Sequence, residues 1–296
     1  MPSEIIQWFP GHMAKTKRQI KESLPLVDIV IEILDARIPE SSHNPDIEKL
    51  AESKPRLILL NKATLASPEE NARWERRYRE EGVRCILTDC NAGTGLSRIT
   101  PTVREILSEK VERYAAKGME NRNLKAMVVG IPNSGKSTFI NRMAGGSKAK
   151  AENRPGVTRT QQWIRTTSGL DLLDTPGVLW PKFEDVTVGE NLAATGAIKD
   201  SVLDSERIAC IICNRLREVA KPALAARYKL TEEQIDACET DYDLLTLIGR
   251  KRGFLISGGE IDTERTANML IDEFRAAKIG RITLDEYKNV GGIINA

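Results

Sequence analysis

The sequence predicts an α/β fold, a mostly parallel sheet with helices on both faces, followed by a small all-α domain. Three observations carry that reading. Short apolar or β-branched runs at 29–34, 56–60, 84–88, 126–130, 162–166 and 171–174 have the length of strands. Amphipathic stretches at 14–23, 45–53, 68–81, 97–117 and 136–144 alternate with them, as parallel strands joined by crossover helices require. Beyond about residue 189 the strand signal fades, and 205–228, 241–251 and 263–278 read as helices. The expected division is 1–185 and 186–296.

Composition narrows the function classes. With 296 residues, 41% hydrophobic and 29% charged, the chain is globular rather than collagenous, low-complexity or disordered. No apolar run approaches the ~18 residues of a membrane span, so no membrane partner is expected. The N-terminal stretch MPSEIIQWFPGHMAKTKRQIK lacks the apolar core of a signal peptide. Five cysteines, an odd number, make no disulfide framework, and a cytoplasmic location is expected. A net charge of +2 carries no nucleic-acid signature for the whole chain. Locally, 141–168 holds six basic residues (Arg142, Lys148, Lys150, Arg154, Arg159 and Arg165) against Glu152 alone, a place where phosphates can bind.

Along the chain, the strand ends carry the chemistry. The run at 29–34 leads into Asp35-Ala-Arg37-Ile-Pro39, and 56–60 leads into Asn61-Lys62-Ala-Thr64, which resembles the N-K-x-D guanine-recognition motif. After 84–88 comes Thr88-Asp89-Cys90-Asn-Ala-Gly-Thr-Gly95-Leu, which resembles the T-S-A-x-x-G-x-G-L segment that backs the base. After 126–130 comes Gly130-Ile-Pro-Asn133-Ser134-Gly135-Lys136-Ser137-Thr138, a phosphate loop between a strand and a helix, the context this motif requires. Its glycines let backbone N–H groups turn inward around a β-phosphate at a helix N-terminus. Lys136 would reach the β- and γ-oxygens, and the Ser137 hydroxyl would ligate Mg²⁺. Thr158, in Arg154-Pro-Gly-Val-Thr-Arg159, offers a second hydroxyl for Mg²⁺. Asp174-Thr-Pro-Gly177 closes the set, with a carboxylate to hold Mg²⁺ and a Gly177 N–H for the γ-phosphate.

The order of these motifs is unusual. Small GTPases place the phosphate loop first and the base-reading motifs last, whereas here 61–64 and 88–95 precede 130–137. The chain therefore resembles a circularly permuted P-loop GTPase. With Trp8-Phe-Pro-Gly-His12-Met-Ala-Lys and Asp35-Ala-Arg37-Ile-Pro39 at the front, residues 8 to about 180 resemble the ribosome biogenesis GTPase A family. The resemblance implies hydrolysis of GTP to GDP and phosphate, slow alone and stimulated by the ribosomal subunit. It further implies action in late assembly of the large (50S) subunit, contact with its ribosomal RNA through the helical C-terminal domain, and a monomer away from the ribosome. Asn133 resembles the Asn of potassium-activated GTPases, so K⁺ is expected beside Mg²⁺. The family's motif also lends His12 a role in hydrolysis, because Val178, after Gly177, cannot orient water as a Gln does.

Several features keep other readings open. A metabolic P-loop enzyme, or a nucleotide-binding module with relaxed guanine specificity, is the rival reading. Val178 keeps a module without hydrolysis open, and relaxed guanine specificity would follow from Thr64, which stands where the family pattern has an Asp that accepts from guanine N1–H and the exocyclic amine. Asp89, where a Ser is usual, is expected either to take over the base with Thr64 supporting it or merely to cap the turn after it. Cys210-Ile-Ile-Cys213 reads as helix packing rather than a metal pair, since no second pair exists. Arg215, Arg217, Lys221, Arg227 and Arg250-Lys-Arg252 fit an RNA-facing surface or an ordinary solvated helix face equally well.

Overall fold

A computed structural model describes residues 12–120, 122–146, 161–180, 183, 185–198 and 204–285. The first part runs α1 (His12–Ser23), β1 (Ile29–Asp35), α2 (Pro39–Ser42), α3 (Pro45–Ala51), β2 (Arg56–Asn61), α4 (Pro68–Glu80), β3 (Arg84–Leu87), α5 (Ile99–Ile106), α6 (Ser108–Ala115), β4 (Leu124–Val129), α7 (Lys136–Met143), β5 (Gln162–Arg165) and β6 (Leu170–Asp174). Helices follow: α8 (Val186–Ala194), α9 (Ser205–Val219), α10 (Lys221–Tyr228), α11 (Glu232–Asp236), α12 (Asp241–Arg252) and α13 (Thr263–Arg275).

One sheet takes the order β3-β2-β1-β4-β6-β5, with every pairing parallel except β5 on β6. Because β1, β2, β3, β4 and β6 run the same way, the motifs at their carboxyl ends open onto one edge, whatever their order in the chain. Alternation along the strands builds the two faces. Ile29, Ile31 and Ile33 of β1 pack with Leu57 and Leu59 against Val103 of α5 and Phe139 of α7. Val30, Met127, Val129 and Leu173 meet Ile20 of α1 and Ile47 of α3 on the other face, and Leu34, Ile58 and Leu60 meet Trp74 of α4.

Local sequence explains most boundaries. Helix α4 opens with Pro68 behind Ser67, whose hydroxyl accepts from the Glu70 N–H at 3.3 Å. Two expected helices are each broken once. The 97–117 stretch parts at Leu107, whose backbone leaves the helical region (φ −103°, ψ 26°). The 205–228 stretch parts at Ala220 (φ −148°), just before Pro222, whose missing N–H and ring force a new start. Helices α2, α8 and α11 have too little periodicity to show in sequence.

The helical part packs onto the loops at the sheet edge. Ile38 and Ile131 pack with Leu192, Ile212, Leu245, Leu270 and Leu284. After α13 the chain returns to the sheet edge. Residues 281–285 thread between the turns at 36–41 and 63–67, with Ile282 N–H donating to Leu65 O (3.3 Å) and Leu284 N–H to Arg37 O (2.7 Å). Ser41 donates through both its N–H (2.6 Å) and its hydroxyl (2.7 Å) to the Asp285 carboxylate, and Trp74 Nε1 donates to the Asp285 carbonyl (3.1 Å).

Glu32, an acid in the fully buried strand β1, is matched by His43 (3.1 Å) and Arg56 (3.2 Å), and both bases also hold Glu48. Burial pulls the imidazole pKa down, but Glu32 and Glu48 raise it to about 9 from 6.5. The folded state therefore holds this proton more tightly than the unfolded chain does. The stabilisation is complete below pH 6.5 and is lost as pH rises through 9. His43→Gln is expected to lower stability by on the order of 2 kcal/mol on the acid side of that window and by nothing on the alkaline side. Thermal melts of both proteins across the range check it.

Candidate functional site

Two glycines shape the phosphate loop between β4 and α7, each for a tertiary reason. Gly130 has φ +147°, and a Cβ there would meet the Ile33 carbonyl oxygen at 2.4 Å. Gly135, φ +103°, would drive a Cβ to 2.1 Å from Asn61 Nδ2. Asn133 takes the left-handed region at φ +58°, and its Nδ2 donates to the Gly196 carbonyl at 2.7 Å, just past α8. Ser134 is buried and donates to Ile131 O at 3.0 Å. Ser137 and Thr138 lie half-buried in the first turn of α7, where backbone N–H groups and the helix dipole favour an anion.

Lys136 is buried, and its ammonium curls back to donate to Gly130 O (3.1 Å) and Ile131 O (2.6 Å). Burial lowers its pKa to about 8, against the pull of Asp174. Asp174 itself, at the end of β6, is fully buried, and neither carboxylate oxygen meets a hydrogen-bond donor in good geometry among the described residues. Burial pushes its carboxyl up to about 6 even though Lys136 draws it down. A buried carboxylate whose oxygens meet no donor in good geometry fits Mg²⁺, and Ser137 in the first turn of α7 is the hydroxyl that would share the ion. Gly177 packs on the loop so closely that a Cβ would stand 2.8 Å from Pro132 N and 3.0 Å from Lys136 Nζ. Val178 is buried against Ile20 and Leu173, with its N–H on Gly130 O at 3.3 Å.

The base-reading segments converge on the same loop. Asn61, ending β2, donates from Nδ2 to Ser134 O at 2.7 Å and accepts the Cys90 N–H on Oδ1 at 3.0 Å. One buried amide thus ties three loops. Arg142 of α7 adds a second tie, donating from Nε to Cys90 O (3.1 Å) and from Nη2 to Asn91 O. Lys62 sits at φ +60° and donates to Asp35 Oδ2 at 2.8 Å. Burial pushes the Asp35 carboxyl up, but Arg37, bound to both its oxygens, and Lys62 hold it well below the usual range. Arg37 reaches on to the Arg275 carbonyl (3.4 Å) and lies over the Phe274 ring, so this pair also anchors α13. The exposed Thr64 donates its hydroxyl proton to Oδ2 of buried Asp89, whose Oδ1 accepts from the Asn91 and Ala92 N–H groups at 3.0 Å each. Asp89 therefore caps its turn and binds Thr64 at once.

The structure brings together Asn61, Lys62, Thr64, Asp89, Cys90, Asn133, Ser134, Gly135, Lys136, Ser137, Thr138, Asp174 and Gly177. Thr158 lies outside the described residues. His12 begins α1, and its side chain lies outside the described set too. Arg142, Gly196 and Arg281 were not singled out by the sequence as site residues. Arg281 donates from Nε to Ala66 O and from Nη2 to Ala63 O, both at 3.0 Å, bracketing Thr64 from 215 residues or more away. Most of the basic residues suited to an RNA face have internal partners. Arg227 and Arg252 pair with Glu273, Lys221 with Asp236, Arg217 with Asp241, and Arg215 with Glu218. Cys213 is fully buried and Cys210 half-buried in α9, as helix packing requires.

Comparison with known proteins points to the same class of protein. The family described as 50S ribosome-binding GTPase matches residues 125–240. Ribosome biogenesis GTPase A of Priestia megaterium is 48% identical over 282 residues, 95% of this chain and 96% of that protein. Mitochondrial ribosome-associated GTPase 1 of Mus musculus is 32% identical over 298 residues, 95% of this chain and 90% of that one. The crystal structure of GNP-bound YlqF from T. maritima is similar with a TM-score of 0.61 at 26% identity, covering 92% of this chain and 98% of that one.

Proposed function

The chain belongs to the ribosome biogenesis GTPase A family, and from that premise we propose that it hydrolyses GTP to GDP and phosphate during late maturation of the large ribosomal subunit. Nucleotide state gates its association and release. The observation that carries this reading is the Asn61 amide, which locks a phosphate loop and two base-reading loops into one site.

Each residue has a task there. Backbone N–H groups at the start of α7 receive the β-phosphate, and Lys136 exchanges the Gly130 and Ile131 carbonyls for β- and γ-oxygens. Ser137, Asp174 and Thr158 would hold Mg²⁺, which would neutralise charge on the phosphates. Asn133, its amide nitrogen fixed by Gly196, would offer Oδ1 to K⁺. Gly177 presents its N–H to the γ-phosphate, and Val178, sealed in the core, leaves water positioning to His12. Residues 1–185 form the GTPase unit, and 186–296 face the ribosome and its RNA. Arg250 and Lys251, in the last turn of α12, carry phosphate contacts there. The chain works in the cytoplasm, as a monomer off the ribosome.

One experiment tests the gate. Co-sedimentation with large subunits is expected to be strongest with a GTP analogue and weak with GDP; equal binding in every nucleotide state overturns it. The same complexes test the ion and His12. Turnover is expected to be faster in KCl than in NaCl at equal ionic strength, and His12→Ala to lose subunit-stimulated turnover while keeping GTP affinity. Equal rates remove K⁺ or His12 from the reading.

A further inference from the structure

We propose that Thr64 reads the hydrogen-bond-donating edge of guanine, and that Asp89 is the positioning residue that makes this threonine an acceptor only. The inference rests on the guanine-nucleotide reading above and deepens it.

A threonine hydroxyl is ordinarily ambiguous, since it donates one hydrogen bond and accepts others. Such a group cannot by itself tell a base edge that donates from one that accepts. Here the ambiguity is removed. The single hydroxyl proton of Thr64 is committed to Asp89 Oδ2, so only lone pairs face outward. Thr64 is exposed and Asp89 is buried behind it, which gives the two residues different tasks. Burial pushes the Asp89 carboxyl up, but the Thr64 hydroxyl and the Ala92 and Asn91 N–H groups hold it below the usual range, so it remains an anion. A buried anion behind the hydroxyl also polarises it, which strengthens its acceptance of guanine N1–H and the exocyclic amine.

Both residues are held in place. Ala63 N–H donates to Thr88 O (3.1 Å), and the Ala63 carbonyl accepts from Asn71 Nδ2 and from Arg281, at 3.0 Å each. Asp89 Oδ1 is pinned by two backbone donors. That pinning dictates what an amide would do at residue 89. In Asp89→Asn the two backbone N–H groups demand an acceptor, so the amide oxygen takes the Oδ1 place and Nδ2 falls where Oδ2 was. There Nδ2 donates to Thr64 Oγ1. The threonine proton is thereby released to point outward, and the reading edge changes from acceptor to donor.

Xanthine supplies the complementary test base, because it carries a carbonyl oxygen where guanine carries the exocyclic amine. The experiment measures GDP, XDP and ADP binding to the full chain for wild type, Asp89→Asn, Thr64→Val, Thr64→Ser and the double variant Asp89→Asn/Thr64→Val. Asp89→Asn is expected to lose GDP affinity and gain XDP affinity, shifting the ratio roughly 100-fold, about one hydrogen bond lost and one gained. Thr64→Ser should keep the wild-type ratio. Thr64→Val should weaken GDP about tenfold and, in the double variant, abolish the XDP gain. A fall of both nucleotides together in Asp89→Asn, with the ratio unchanged, overturns the assignment, because it marks damage to the turn and not inversion of the edge. Wild type binding ADP as tightly as GDP overturns the guanine reading itself, an outcome distinct from the first.

Discussion

Lys136→Ala is expected to reduce GTP turnover by about 10²–10³-fold, the scale seen when one preorganised charge donor is removed from a transition state. The side chain is buried with Gly130 O and Ile131 O as its partners, so it already lies inside the loop expected to surround the phosphates. Among the described residues the nearby cations are already engaged, Arg142 with the carbonyls of residues 90 and 91 and Lys62 with Asp35. Wild type should also show a pH signature. Burial holds free Lys136 near a pKa of 8, and phosphates favour its charged form. Binding above that pH therefore requires uptake of a proton, and GTP affinity falls as pH rises through 8. The variant should lack this dependence. Nucleotide titrations across that range, beside single-turnover rates, check both statements.

Asn61→Ala is expected to weaken GDP binding by about 10²-fold, because it strips Ser134 O and Cys90 N of partners at about 1–3 kcal/mol each. These two groups belong to the phosphate loop and to the base-backing turn, so both halves of the site loosen together. Asn61→Asp separates polarity from packing. It keeps the acceptor for Cys90 but sets a carboxylate oxygen against Ser134 O, so it should be at least as damaging as alanine despite its matched size. A milder effect for aspartate would mean that the donated bond to Ser134 matters little. Calorimetric titration with GDP and a parallel melt separate affinity from stability.

The parts of the site that could be read in advance are those whose chemistry is written in a few neighbouring residues. The phosphate loop is local: a strand, a Gly-x-x-x-x-Gly-Lys-Ser turn and a helix, all within 124–143. Asn61-Lys62 and Asp174-Thr-Pro-Gly177 mark strand ends in the same way, and the strands run parallel as the alternation requires. Thr64 was visible as a departure and Asp89 as its candidate remedy. Their division of labour was not visible, because it depends on one being exposed and the other buried, and on two backbone N–H groups that aim at Oδ1. The basic residues of the helical part stayed open between two readings for a related reason. A sequence counts guanidinium groups, but only packing shows that Arg227 and Arg252 share Glu273.

Sequence alone specified the α/β class, the permuted order of the motifs and the groups expected to meet phosphate and base. It could do so because side-chain periodicity and turn chemistry act over a few residues. Packing alone assigned the partners that span the chain. Asn133 is tied to Gly196, Arg37 to α13, and the turn bearing Thr64 to Arg281, with Thr283 accepting the Ser67 N–H. Each of these bonds joins residues 63 or more positions apart. Nothing in the local pattern distinguishes such a partner from any other polar residue, and only the folded arrangement of the sheet edge and helices brings them together.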